Sequence, residues 1–166
     1  MKIFLTPITS FLFLSCVALA KKPNFVYIMV DDAGYGDFSW FGQKKFKTPN
    51  VDRMAKEGMK LTDFYSSSTV CAPSRSSLMT GHHSGRGYIR GNKEIRPEGQ
   101  HPLPMKAVTI PEVLKQSGYV SGMFGKWGLG APGTEGDPMN QGFDRFYGLN
   151  CQRQSHNFYP THVWSD

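Results

Sequence analysis

A chain of 166 residues with 39% hydrophobic and 19% charged side chains is long enough for one packed core and too apolar for a disordered one. Its 18 glycines and 11 prolines point to a loop-rich globular α/β protein. The formal charge of +6 favours anionic partners, but Lys44, Lys45, Lys47, Arg86, Arg90, Lys93 and Arg96 form no repeated stripe, which argues against nucleic acid and suits an acidic substrate.

Residues 1–20 read as a signal peptide: Lys2 gives a positive start, residues 3–19 are mostly apolar, and Ala18-Leu19-Ala20 is an A-x-A cleavage site. Thr6, Pro7, Thr9, Ser10 and Ser15 interrupt a stretch already short of the roughly 20 apolar residues a spanning helix needs, so stable membrane insertion is not expected. The expected location is secreted or periplasmic. Phe13-Leu14-Ser15-Cys16 is an imperfect lipobox, which makes a lipid anchor at Cys16 the lesser reading. Cys71 and Cys151 survive processing, and in an exported protein an even pair reads first as a disulfide.

The first element is a continuous β-favouring run, residues 24–30, expected as a central strand buried on both faces and stopping at Asp31-Asp32. Thr48 then predicts an N-cap, with Pro49 opening a short helix, Val51, Met54 and Ala55 on one face, and Gly58 as its stop. Residues 60–65 alternate like a second strand and lead to Cys71 and a helix around residues 74–79. Thr109-Ile110-Pro111-Glu112 combines an N-cap, a helix-starting proline and a capping-box glutamate, with Val113 and Leu114 facing inward and Gly118 ending the helix. Residues 119–124 predict a strand ending at Gly125-Lys126, and residues 128–166 read as loop. Strand–helix alternation implies a parallel sheet, whose ligands gather beyond the carboxyl ends of the strands. Asp31, Asp32, Cys71 and Lys126 all follow predicted strands.

On residue chemistry alone, Asp31-Asp32 is either a solvated turn or a pair of carboxylates awaiting a hard cation such as Ca²⁺ or Mg²⁺. Cys71, at a helix entrance with Arg75 one turn on, is an electropositive and reactive thiol or else half of a disulfide.

Cys71-Ala72-Pro73-Ser74-Arg75, followed by Thr80-Gly81, resembles the C-x-P-S-R signature of type I, formylglycine-dependent, arylsulfatase-like sulfatases; His82 stands where that family often has arginine. The resemblance continues in family order through residues 24–37, Thr48-Pro49-Asn50-Val51-Asp52, Gly125-Lys126-Trp127 and Gln141-Gly142-Phe143-Asp144-Arg145-Phe146-Tyr147-Gly148. It implies an alkaline phosphatase/sulfatase-like three-layer α/β/α sandwich with a mostly parallel central sheet, of which residues 21–166 would be the N-terminal part. Sulfatases resembling this chain run to several hundred residues, so it is expected to be a fragment that is inactive alone.

The resemblance also implies chemistry. Cys71 would be oxidised to formylglycine by a formylglycine-generating or sulfatase-maturating enzyme. The hydrated aldehyde carries two hydroxyls on one carbon: one attacks sulfur and expels the alcohol, and deprotonation of the other releases sulfate. Asp31, Asp32 and residue 71 resemble the ligands of a divalent metal, calcium ahead of magnesium; Arg75 would hold the diol, and Lys126 would bind the sulfate and residue 71. Substrates would be aryl or carbohydrate sulfates. One departure concerns Gly125-Lys126-Trp127-Gly128-Leu129-Gly130, where the family frequently has histidine at position 128. His156, beside Ser155 in a loop resembling the substrate side, is the candidate replacement base, with Ser155 a substrate contact. The competing readings are a catalytically inactive protein that binds sulfated glycans and a phosphohydrolase of the same superfamily.

Overall fold

The computed structural model describes residues 21–166; the signal-peptide reading of residues 1–20, with Cys16, lies outside the described residues. The chain divides after Ala33 into two units. No helix among the described residues is long and apolar enough to cross a membrane.

In the first unit, residues 24–30 are exposed and form no strand, contrary to the expectation of a buried central one. A strand is made by the continuous hydrogen-bonded ladder it shares with a neighbour, and β-favouring composition supplies only the preference for extended backbone. The chain then turns at Asp31-Asp32, where Asp32 takes a left-handed φ of 56° that aspartate tolerates better than most residues.

The second unit opens with two short 3-10 turns, Tyr35–Asp37 and Ser39–Phe41, and helix α1, Pro49–Glu57. Thr48 precedes α1 and Gly58 follows it, as the proline and glycine signals predict. Ser39, Thr48 and Asp52 tie this corner together reciprocally: each hydroxyl accepts the other residue's backbone N–H at 2.9–3.0 Å, and both donate to the Asp52 carboxylate. Residues 60–65, expected as a strand, are irregular with one turn at Thr62-Asp63 and leave Leu61, Phe64 and Tyr65 exposed, for the same lack of a ladder.

Helix α2 spans Cys71–Thr80 and buries Ala72, Pro73, Arg75, Ser76 and Ser77. A two-stranded antiparallel ribbon follows, β1 (Glu94–Ile95) with β2 (Gly99–Gln100). Helix α3, Ile110–Lys115, starts as the Thr109/Glu112 capping box predicts, with the Thr109 N–H donating to Glu112 Oε2 at 2.7 Å. Its Val113 is exposed rather than inward-facing, because the helix covers the core with Pro111 instead.

Strand β3, Gly122–Lys126, starts three residues later and ends two residues later than the sequence pattern suggests, and pairs in parallel with β4, Arg145–Leu149. Gly148 is required there, since a Cβ on it would sit 1.9 Å from the Gly125 carbonyl oxygen. Strand β5, Trp164–Ser165, adds antiparallel to β4, giving an open sheet in the order β3-β4-β5. Helix α4, Gln152–His156, follows β4. Residues 128–166 therefore carry a 3-10 turn (Pro138–Gln141), two strands and a helix where loop was expected. Polar and aromatic composition hid them, because β4 alternates buried Phe146 and Gly148 with exposed Arg145 and Tyr147 over only five residues.

The core gathers Ala72, Ile89, Leu103, Ala107, Trp127, Leu129, Phe143 and Phe146. Trp127 packs edge-on to Phe143 at 5.7 Å, and its indole N–H donates to the Gly136 carbonyl at 2.7 Å, so the tryptophan after β3 is locked at both its apolar and its polar ends.

Candidate active site

Cys71 is the first residue of α2, and the local sequence explains why the helix starts there. Val70 has extended backbone and no side-chain acceptor, so the first-turn N–H groups need other partners. Asn92 supplies one, its Oδ1 accepting the Ala72 N–H at 2.9 Å. Pro73 has no N–H to satisfy and tolerates the first turn, and Ser74 makes the first helical bond to the Val70 carbonyl at 3.2 Å. Half-buried Cys71 thereby sits at the positive end of the helix dipole. It is a free thiol, as is the buried Cys151, whose Sγ instead accepts the Gln154 N–H at 3.3 Å at the start of α4. The disulfide reading of the pair does not hold.

Arg75 lies one turn after Cys71 on the same helix, a spacing that makes the two side chains neighbours. It is only 9% exposed, and its Nη1 donates to the backbone carbonyl of Lys126, the last residue of β3. Lys126 Nζ in turn lies 3.4 Å from His156 Nε2 on α4. Three residues expected at the site from separate stretches of sequence, Arg75, Lys126 and His156, are thus joined in one chain of contacts that begins beside Cys71. Of the positions expected after strands, Lys126 ends one; Cys71 instead follows an irregular segment. Ser155 spends its hydroxyl on the Cys151 carbonyl, 2.9 Å away within α4.

Position 128 has a definite occupant. Gly128 is buried with φ +75°, and the Gln152 Nε2 lies 2.0 Å from where a Cβ would stand, donating at 3.3 Å to the Gly128 carbonyl. The carboxamide of Gln152 fills the space beside the backbone that a side chain at 128 would need. Asn92, Gln100 and Gln152 have no signature in the sequence, since asparagine and glutamine outside recognisable motifs carry no spacing signal. The one available hint is Val70, which cannot cap a helix and so demands a side chain from elsewhere.

For a metal, Asp31 and Asp32 offer two adjacent exposed carboxylates on a left-handed turn. Their oxygens match in kind the donors that Ca²⁺ and Mg²⁺ select. Among the described residues no three His, Cys, Asp or Glu side chains gather as a complete cation site.

A family model described as Sulfatase matches residues 23–162. Human arylsulfatase A is 44% identical over 136 residues, which cover 80% of this chain and 26% of that protein. Human arylsulfatase G is 40% identical over 146 residues, covering 88% and 27%. The solved structure of Ps i-CgsB superposes with a TM-score of 0.70 at 34% identity, over 79% of this chain and 29% of that one, and the same protein has been solved with k-i-k-neocarrahexaose. The chain spans between a quarter and a third of the length of these relatives. The open α/β sheet, the cysteine-initiated helix and the matched length converge, and the chain belongs to the sulfatase family.

Proposed function

We propose that this chain forms the nucleophile-bearing part of an exported enzyme that hydrolyses sulfate esters, with formylglycine made from Cys71 as the nucleophile. The observation that carries the reading is the chain of contacts from Arg75 through Lys126 to His156, starting one helical turn from Cys71. Formylglycine, as its hydrate, supplies two hydroxyls on one carbon, one to take up the sulfate group and one to release it.

The remaining work falls to side chains that the fold holds in place. The N-terminus of α2 favours negative charge at residue 71, and the buried Arg75 guanidinium adds to that field at close range. Fixed positive groups aimed where charge develops are worth more in a partly desolvated site than in water. Lys126, at the end of β3, would hold a sulfate oxygen, and its backbone carbonyl accepts from Arg75. His156, close to the Lys126 ammonium, is the group that would carry a proton to or from the reacting oxygens. Asp31 and Asp32 would hold a hard divalent cation, calcium ahead of magnesium, whose contribution is to polarise a sulfate oxygen. Ser155 is a substrate contact only if its hydroxyl leaves the Cys151 carbonyl.

The test is mass analysis of the peptide containing residue 71 after co-production of the gene-encoded protein with a formylglycine-generating enzyme. Aldehyde or its hydrate in place of the thiol, together with release of inorganic sulfate from an aryl or carbohydrate sulfate, is the expected result. An unmodified thiol under those conditions overturns the reading. Aldehyde without sulfate release, together with retention on an immobilised sulfated glycan, would favour the binding-protein reading instead.

A further inference from the structure

Helix α4, Gln152–His156, is too short to hold its own place in water, so the orientation of His156 is set by what grips the rest of the helix. The β1–β2 ribbon, distant in sequence, supplies three ties. Arg153 Nε donates to Glu94 Oε1 on β1, and Arg153 Nη2 donates to the Pro97 carbonyl in the turn, each at 2.5 Å. Gln100 Oε1 on β2 accepts the Gln152 N–H at 3.3 Å. The third tie is indirect: Gln154 Nε2 donates to the His162 carbonyl at 3.3 Å, and the His162 ring meets Glu98 Oε2 at 2.9 Å.

Arg153 is the tie that bears on His156. A guanidinium is a planar fork of fixed donors, so two acceptors on one ribbon set both the rotamer and the direction of the side chain. Arg153 and His156 are three positions apart on α4, a spacing that makes them neighbours, and both line one cleft of about 330 Å³ with Glu94. His156 Nε2 then stands 3.4 Å from Lys126 Nζ. The same stretch of chain also reaches the cysteine-bearing helix, because Asn92, just before β1, accepts the Ala72 N–H. The side chains of Arg153 and Glu94 are 57% and 35% exposed, and pairs so open to solvent contribute little to stability. Their geometric role is therefore separable from folding.

We propose that Glu94 is a positioning residue for the reaction: through Arg153 it holds α4 so that His156 faces Lys126 and the reacting oxygens. The proposal rests on the reading of His156 as the proton carrier of a sulfatase. Glu94 acts through Arg153 and not on the substrate.

The experiment uses the gene-encoded protein carrying formylglycine at residue 71, with 4-nitrophenyl sulfate as substrate. Glu94→Ala is expected to lower kcat about 10-fold with KM little changed, since misplacing a reacting group by about 1 Å costs up to ~10²-fold. Glu94→Gln, whose amide oxygen still accepts from Arg153, should recover most of the loss. In a His156→Ala background Glu94→Ala should lower kcat no further, because nothing is left to position. A loss of the same size in that background, or a kcat in Glu94→Ala equal to wild type, overturns the proposal. Proton NMR of the His156 ring reads its placement without turnover. Glu94→Ala should move the His156 resonances and leave those of His83, whose Nδ1 is held locally by the Gly85 N–H. If wild type hydrolyses the ester and Glu94→Ala leaves the His156 resonances in place, the positioning role falls and the sulfatase reading stands. If the resonances move but wild type hydrolyses no sulfate ester, the sulfatase reading falls and the hold of Glu94 on α4 stands. Should Glu94→Ala fail to fold, Arg153→Lys takes its place with the same expectations, since one ammonium does not reproduce the two-acceptor fork.

Discussion

Gln152 and Gly128 share one volume: the Nε2 of the first stands 2.0 Å from the place a Cβ on the second would occupy. Gly128→Ala should therefore be costly on two counts. The left-handed backbone at φ +75° penalises any L side chain by about 1–2 kcal/mol, and displacing the buried carboxamide forfeits its hydrogen bond, about 0.5–1.5 kcal/mol. A loss of roughly 2–3 kcal/mol in urea unfolding, with the slope unchanged, is expected. A midpoint equal to wild type would show that Gln152 moves aside freely.

Asn92 is the external cap of the cysteine-bearing helix. Asn92→Ala leaves the N–H of Ala72 unpaired at a position with no solvent exposure, and should destabilise the protein by about 1–3 kcal/mol. Hydrogen exchange adds a local readout, since amides of the first turn of α2 should exchange faster while those of α3 stay as they were. Uniform acceleration across both helices would contradict a local capping role.

Neither the Asn92 cap nor the packing of Gln152 on Gly128 is legible in the amino-acid sequence, whereas two helix starts are. Helix starts at Pro49 and Ile110 follow from local chemistry, because Thr48-Pro49 and the Thr109/Glu112 box act within a few residues of themselves. Motifs name Cys71, Arg75 and Lys126 as candidates, and the contact of Arg75 with the Lys126 carbonyl joins two of those stretches. Strands were the weak point. Residues 24–30 have a strand's composition without a strand's ladder, whereas β4 exists because Gly148 lets it approach β3, a long-range condition that five mixed residues do not announce. Gln100 and Gln152 come together from distant stretches through one bond between a side chain and a backbone N–H, and nothing in their own neighbourhoods marks them.

Acid stability should depend on Asp52. The Ser39 hydroxyl foremost, then the Thr48 hydroxyl and the Trp40 backbone, hold its carboxyl below the ordinary aspartate range, with desolvation opposing. A carboxyl depressed in the folded state binds fewer protons there than in the unfolded chain. Its stabilisation is present above the unfolded value and lost as pH falls through the folded one. Asp52→Asn should therefore flatten the decline in unfolding midpoint on the acid side while lowering the plateau near neutrality. Asp144, depressed by the Ser121 backbone N–H first and by Lys115 next, should give Asp144→Asn the same signature. An acid limb identical to wild type in both variants would refute the assignment.

Lys126 and His156 are 3.4 Å apart, yet their proposed roles separate kinetically. If His156 moves a proton in the transition state, His156→Ala should lower kcat toward an aryl sulfate by about 10²- to 10⁴-fold with KM little changed. If Lys126 holds sulfate in both the ground and transition states, Lys126→Ala should raise KM and weaken inhibition by inorganic sulfate, a contrast that kcat alone does not report. Steady-state kinetics on the gene-encoded protein carrying formylglycine at residue 71 reads both. Sulfate inhibition that survives Lys126→Ala but is lost in His156→Ala would exchange the two roles. Intact kcat in His156→Ala would remove the histidine from the reaction and leave the proton to another group.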